Sequence, residues 1–235
     1  MGGGRLQFLP AALSVVVPTL DEAEALPAAL AAARQPGVTE IIVVDGGSRD
    51  GTLALARALA DRVLETARGR ARQMNAGAAV ARGDVLLFLH ADTRLPAGYA
   101  QAVARALADP RVVGGRFDVR LDATGVAYRV VGRLISVRSR VTRVATGDQA
   151  IFVRRAVFGR LGGYPAVPLM EDVALSRALK RAGRVACLGE TVVTSARRWQ
   201  RHGVARTVLL MWALRAAYYV GVSPARLARV YRDAR

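Results

Sequence analysis

One cysteine, one lysine and no long apolar run set the first limits on this chain of 235 residues. With Cys187 alone, no intramolecular disulfide can form and a cysteine-built zinc site is excluded. Cys187 reads as a small buried hydrophobe, and a reducing, cytoplasmic setting fits. No stretch of about 18 apolar residues occurs, so no membrane-spanning helix is expected. The best stretch, residues 207–222, is broken by Arg215. Residues 1–13 lack an apolar run of leader length, and Leu6 stands where an N-myristoylation signal needs Ser or Thr. Two nucleotide motifs are also missing. Neither G-x-G-x-x-G nor a Walker loop is present, which argues against a Rossmann-type nicotinamide or flavin site.

Hydrophobic residues make up 52% of the chain, enough for a sizeable core in one compact domain with a tail. The net charge of +17 is unevenly placed. Residues 1–125 carry 14 basic and 13 acidic groups, whereas residues 126–160 carry 8 and 1, and residues 181–235 carry 11 and 2. Such asymmetry attracts something anionic: phospholipid, nucleic acid or a phosphorylated substrate. Lys180 apart, the cations are arginines, which suit phosphate forks; coding bias toward Ala, Arg and Gly gives the same composition.

The first 120 residues alternate β-branched runs with Ala/Leu-rich stretches. Strands are expected at 13–18, 40–45, 62–65 and 84–89. Helices are expected at 21–34 with Asp21 as N-cap, 50–59, 71–80, and from Pro96 to about residue 108. Apolar strands separated by helices predict an α/β fold with a mostly parallel sheet covered on both faces. In such sheets ligands sit beyond the carboxyl ends of the strands. Thr19 to Glu22, Asp45 to Ser48 and His90 to Thr93 all follow strand ends. Further on, a strand or hairpin arm at 112–121, a helix at 126–144, a strand at 149–154, a helix at 170–182 and a strand at 184–188 are expected. From Arg197 helices follow, breaking at Gly221 and restarting at Ser223-Pro224.

Four constellations carry chemistry. The loop Val44-Asp45-Gly46-Gly47-Ser48-Arg49-Asp50-Gly51-Thr52 brings backbone amides to a helix start, which favours an anion, and Asp45 is an acceptor suited to a base N–H or ribose hydroxyls. Arg68, Arg70 and Arg72 cluster at the next helix start, with Gln73 on the face of Arg70. His90 and Asp92, two residues apart, point the same way, and a carboxylate there can hold a divalent cation bridging two phosphates. Gly147-Asp148-Gln149 precedes a strand and Glu171-Asp172 opens a helix, where one carboxylate could act as a general base. Singly, each has an ordinary account as a turn, a solvated basic face or a helix cap.

Taken in order, these segments resemble family-2 glycosyltransferases of the GT-A fold. The resemblance rests on Val17-Pro18-Thr19-Leu20-Asp21-Glu22, the Asp45 to Thr52 loop, Phe88-Leu89-His90-Ala91-Asp92-Thr93, Gly147-Asp148-Gln149 and Glu171-Asp172. It covers about four fifths of the chain and is nearest to a small bacterial subgroup often labelled diaponeurosporenoate-type glycosyltransferases. It implies a GT-A domain over residues 1–196 and a basic, aromatic helical tail over 197–235. It also implies an inverting transfer from a nucleotide-diphosphate sugar, assisted by Mg2+ or Mn2+. Pro18, Thr19, Glu22, Asp45, Gly46, His90 and Ala91 would frame the nucleotide sugar, Asp45 reading the base, and Arg70 and Gln73 would border the diphosphate. Asp92 would bind the metal, with His202 a second candidate. Asp172 would be the base, with Gly147, Asp148, Gln149 and Glu171 at the acceptor. Two departures from the pattern stand out: His90 occupies the first acidic position of D-x-D, and Leu20-Asp21-Glu22 replaces the usual x-N-E.

The acceptor stays open between lipid-linked and anionic compounds. Trp199, Trp212, Tyr218 and Tyr219 among arginines are compatible with a helix packed on the domain and with one lying on an anionic bilayer, at the inner face of the cell membrane. The rival readings are a nucleotidyltransferase, whose Gly-rich lysine-bearing signature is absent, and a basic nucleic-acid-binding protein, for which no binding motif is found.

Overall fold

The computed structural model describes residues 12–233. The expectations for a leader or lipid signal lie outside the described residues. Eight strands form one sheet in the order β3-β2-β1-β4-β7-β6-β8-β5. In chain order these are β1 Leu13–Thr19, β2 Val38–Asp45, β3 Arg62–Glu65, β4 Val85–Phe88, β5 Thr93–Arg94, β6 Val112–Leu121, β7 Ile151–Arg154 and β8 Arg184–Thr194. All but β7 and β5 run the same way. The expected mixed, mostly parallel sheet flanked by helices is therefore present.

All seven residues of β1 are buried, and alternation assigns them to two faces. Val15 and Val17 pack with Leu26, Leu30 and Tyr99 on one side, while Val16 packs with Ile42, Met74 and Phe88 on the other. Around the sheet lie α1 Leu26–Ala33, α2 Thr52–Leu59, α3 Arg70–Val80, α4 Tyr99–Leu107, α5 Val126–Thr142, α6 Arg155–Arg160 and α7 Glu171–Ala182. The chain then continues as α8 Arg197–His202, α9 Val204–Tyr219 and α10 Pro224–Asp233.

Antiparallel β7 is admitted by Gly114 and Gly115 on β6. A Cβ on Gly115 would stand 2.4 Å from the Phe152 ring, so only glycine lets the strands approach. Helix α5 is tied to β6 by Arg116, which is buried, pairs with Asp118 and donates to Ser136 O at 3.1 Å. Arg140 reaches the same Asp118 at 2.6 Å. These contacts fix the face from which Arg138 projects.

Two helix starts differ from expectation. The first helix begins at Leu26, not at Asp21, which has φ 53°. The backbone N–H groups of Asp21, Glu22 and Ala23 are taken by the side chains of Ser48, Thr52 and Asp50 at 2.8–3.1 Å. Those bonds hold residues 21–23 against the next loop and postpone the helix to the turn that contains Pro27. Helix α4 starts at Tyr99 after left-handed Gly98 rather than at Pro96. The short β5 and α6 were not expected.

Candidate functional site

The parallel strands deliver Thr19, Asp45 and, just past β4, His90 and Asp92 to the carboxyl end of the sheet. Their neighbours close a cavity of about 420 Å³ lined by Arg70, His90, Asp92, Asp148, Glu171, Asp172, Arg138, Arg197 and Arg215, among others. A separate depression of about 550 Å³ opens at the starts of β6 and β8, at the opposite end of the strands. Its single carboxylate, Asp109, is already paired with Arg111 and Arg184, so it offers no free acid.

On the nucleotide side, several expected contact residues are turned inward. Asp45 accepts from Gly47 N and Ser48 N at 2.8 Å each, from the Ser48 hydroxyl, and from Thr19 Oγ1 at 3.2 Å. Burial alone would raise its pKa, but these hydrogen bonds together hold the carboxyl below its ordinary value. With its lone pairs so occupied, Asp45 shapes the loop rather than presenting a free acceptor. Gln73 is a correction: at 3% exposure it does not border a diphosphate. Its Nε2 donates to Thr19 O and Val44 O at 2.8 and 2.9 Å, clamping β1 to β2 at their ends. Pro18, Thr19, Gly46 and Ala91 are likewise buried, whereas Glu22, Arg70, His90 and Asp92 keep some exposure, as do Gly47 and Ser48 in the adjoining turn.

Arg197 reaches across from α8 to donate to Glu22 Oε2 at 2.6 Å and stands 3.8 Å from Asp92 Oδ2. Burial raises the pKa of Glu22 and of Asp92, against the lowering influence of Arg197 on both. Asp148 also raises that of Asp92 by its charge, and its Oδ1 is buried without a hydrogen-bond partner. An unpaired carboxylate oxygen beside a second carboxylate suits a divalent cation. Among the described residues no three ligating side chains converge on one point. A hard cation bound through one or two carboxylates plus phosphate oxygens needs no such cage. His202 lies on α8 and is not among the residues that line the cavity with Asp92.

His90 is pressed by the 147–149 turn: a Cβ on Gly147 would stand 2.4 Å from His90 Nε2. Burial first, then the charges of Arg70 and Arg198, lower its pKa well below the usual histidine value, so the ring is neutral at pH 7. Gln149 is a further correction: it is fully buried and its amide donates to Phe117 O and Ser139 Oγ, so it holds the loop from within and does not face the cavity.

Asp172 sits in the first turn of α7, which follows Met170 in a left-handed conformation, φ 68°. Gly147 N donates to its Oδ2 at 2.9 Å and Val173 N to its Oδ1 at 2.7 Å. Each oxygen keeps a lone pair for the cavity. Burial raises the pKa of Asp172, and the backbone bonds oppose the rise. Glu171 is pushed up to about 7 by burial and then by the charge of Asp172. Among the described residues, three of the four non-glycine residues with positive φ, Asp21, Ala150 and Met170, border these loops, as expected where a site imposes its own backbone.

The tail lines the cavity as well. Arg197, Arg198, Trp199, Met211, Trp212, Leu214 and Arg215 all contribute. Leu214 and Leu227 are buried against Val144, Met170 and Val173. Nothing in the sequence marked Arg138 and Arg215 individually as wall residues; the signal available was only that both stand in the two arginine-rich segments.

Residues 14–158 match the family described as "Glycosyl transferase family 2". A "PGL/p-HBAD biosynthesis glycosyltransferase" of Mycobacterium bovis is 36% identical over 166 residues, 64% of this chain and 62% of that protein. An "Undecaprenyl-phosphate 4-deoxy-4-formamido-L-arabinose transferase" of Pseudomonas paraeruginosa is 34% identical over 60% of this chain and 46% of its own. The chain thus spans less than two thirds of the length of these relatives. Among solved structures, a mannosyltransferase from Pyrobaculum calidifontis, in complex with GDP-Man and Mn2+, shares the fold. Its TM-score is 0.65 at 24% identity, covering 89% of this chain and 62% of the other.

Proposed function

The chain belongs to glycosyl transferase family 2, and on that premise we propose that it moves a sugar from a nucleoside-diphosphate donor to an acceptor oxygen in one inverting displacement. A single observation carries the reading: Asp92 and Asp172, from segments 80 residues apart, line one cavity. The diphosphate-side groups and a second carboxylate would thereby be within one substrate's reach.

The nucleoside would rest against the Gly47–Ser48 turn that Asp45 shapes, with Glu22 at its edge and Arg70 toward the diphosphate. Asp92 and Asp148 would hold a divalent cation, Mg2+ or Mn2+, which when bound supplies positive charge beside the leaving diphosphate. Asp172 takes the proton of the acceptor hydroxyl as that oxygen attacks the anomeric carbon. The bond to the diphosphate oxygen breaks with its electron pair, and Arg70 helps carry the developing charge. Gly147 N and Val173 N fix the Asp172 carboxylate so that one lone pair faces the acceptor. Neutral His90 packs against Gly147 and holds that turn in place.

Thermal unfolding with a panel of nucleoside diphosphates, with and without Mn2+, tests the donor side. A bound nucleotide at ~100 times its Kd stabilises by about 2.7 kcal/mol, a rise of several degrees. A panel in which no nucleotide shifts the transition overturns the reading.

The acceptor is proposed to be lipid-linked or anionic, and bilayer contact belongs to the same reading. No helix among the described residues is long and apolar enough to cross a membrane. Val126, Val130, Leu134, Val137 and Val141 form an exposed stripe on α5, and Leu209 and Trp212 are exposed on α9. Leu134, Val137 and Trp212 also line the cavity, so the stripe runs to its mouth, and the flanking arginines suit anionic headgroups. Sedimentation with anionic vesicles at low salt should carry the protein down, less so at high salt. A protein that stays in the supernatant at both salts removes bilayer contact.

A further inference from the structure

Of the arginines that line the cavity, Arg70 is assigned to the diphosphate, Arg197 is paired with Glu22 and Arg198 lies over the Tyr231 ring, which leaves Arg138 and Arg215. Arg138 leaves α5 and enters the cavity with Nη1 donating to Val144 O at 3.3 Å. Its Nε and Nη2 are buried and have no hydrogen-bond partner. Buried guanidinium donors left unsatisfied cost free energy, so such groups are expected to meet an acceptor when the protein works. Arg215 from α9 lines the same space. Burial, and next the charge of Arg215, bring the pKa of Arg138 down to about 10. Folding alone gives no reason to set a second cation beside the largely buried Arg138.

The nearby acids do not resolve the strain. Asp148 and Asp172 attract Arg138, yet Arg138 and Asp148 each keep unpartnered atoms, so the two have not collapsed into a pair. Asp172 spends one lone pair of each oxygen on backbone N–H groups. Opposite charges held apart across a cavity leave room for a ligand that meets both. The electrostatic neighbours also divide the arginines. Arg70 and Arg197 act on Glu22 and Asp92, with Arg70 reaching Glu171 as well, whereas Arg138 feels Asp148 and Asp172, and Arg215 acts on Asp172.

We infer that Arg138 and Arg215 form an oxyanion subsite for a phosphate group carried by the acceptor, placing that acceptor beside Asp172. The inference rests on the reading of Asp172 as the base. The planar fork of Arg138 presents two free donors to a tetrahedral anion, and Arg215 supplies the second charge. The phosphate has two possible sources, a lipid headgroup whose chain runs along Leu134, Val137 and Trp212, or a small soluble phosphate ester.

Calorimetric titration with inorganic phosphate tests this, on protein already saturated with Mn2+ and the nucleoside diphosphate that gives the largest thermal shift. Filling the donor side first ensures that phosphate reports the second site. Arg138→Gln and Arg215→Gln are each expected to weaken phosphate binding about tenfold, and nucleotide affinity should stay within about twofold. Arg70→Gln should do the reverse. Unchanged phosphate affinity in both variants overturns the subsite, as does an equal loss of nucleotide and phosphate, which would assign these arginines to the donor. The two substitutions lie on different helices, so misfolding of one, read from its melting transition, leaves the other informative. Farnesyl phosphate and glycerol 3-phosphate separate the sources. Tighter binding of the farnesyl compound, reduced by Trp212→Ala, identifies a lipid headgroup; preference for glycerol 3-phosphate identifies a soluble ester; failure of both to bind overturns the subsite. Should the wild-type protein bind no nucleotide, glycosyl transfer fails as a reading, while phosphate titration of the nucleotide-free protein still decides the subsite.

Discussion

Asparagine in place of Asp172 is expected to lower sugar transfer by ~10³-fold or more, with nucleotide binding within about twofold of wild type. Removal of a positioned general base costs ~10²–10⁴, and asparagine keeps the size and one acceptor oxygen for Gly147 N. Initial rates beside calorimetric nucleotide titration check it, and transfer at the wild-type rate would refute the assignment of the base. A pH profile adds an independent sign. Burial raises Asp172, and Glu171 reaches about 7; the two interact and titrate as a pair. The base works ionised, so transfer should be lost as pH falls through this raised carboxylate range and recover as pH rises toward 7. Glu171→Gln removes the neighbouring charge and should move that acid limb to lower pH.

Asp92→Ala should abolish most of the dependence of donor binding on Mn2+ and weaken that binding ~10- to 100-fold, a range typical for loss of a group that holds or orients a metal. The substitution leaves Asp172 and its two backbone donors in place, so residual transfer at saturating donor should keep the wild-type pH profile. Nucleotide titration across Mn2+ concentrations reads the effect. A variant with unchanged metal dependence would show that Asp92 does not hold the cation. Asp148 is proposed as the second carboxylate, so its own truncation should act in the same direction.

The strands were legible because each is a β-branched apolar run, and a parallel sheet buried on both faces leaves no other pattern. The carboxylates were legible because strand ends and a helix start fix where they emerge. Misreadings share a cause: short side chains that satisfy backbone across sequence gaps. Ser48, Asp50 and Thr52 hold residues 21–23 out of a helix, and nothing local to Asp21 announces it. Gln73 and Gln149 have the polarity of ligand contacts and the burial of core residues. Only the fold reveals that their amides close strand ends and a loop. Asp45 belongs with them. Arg138 was hidden for the opposite reason, since one arginine in an arginine-rich helix has no distinguishing neighbour until α9 is packed beside it.

Arg197 and the helices after it are built into the same body as the carboxylates. The family-matching segment ends at residue 158, ahead of Asp172, and the start of α7 is covered by Leu214 and Leu227. Cutting the chain after residue 196 would uncover Val144, Met170 and Val173 and release Glu22 from its cation. The C-terminal helices are therefore no exchangeable module. A substitution at Leu214 or Leu227 that loosens this packing should therefore lower the melting transition and disturb the turn that presents Glu171 and Asp172.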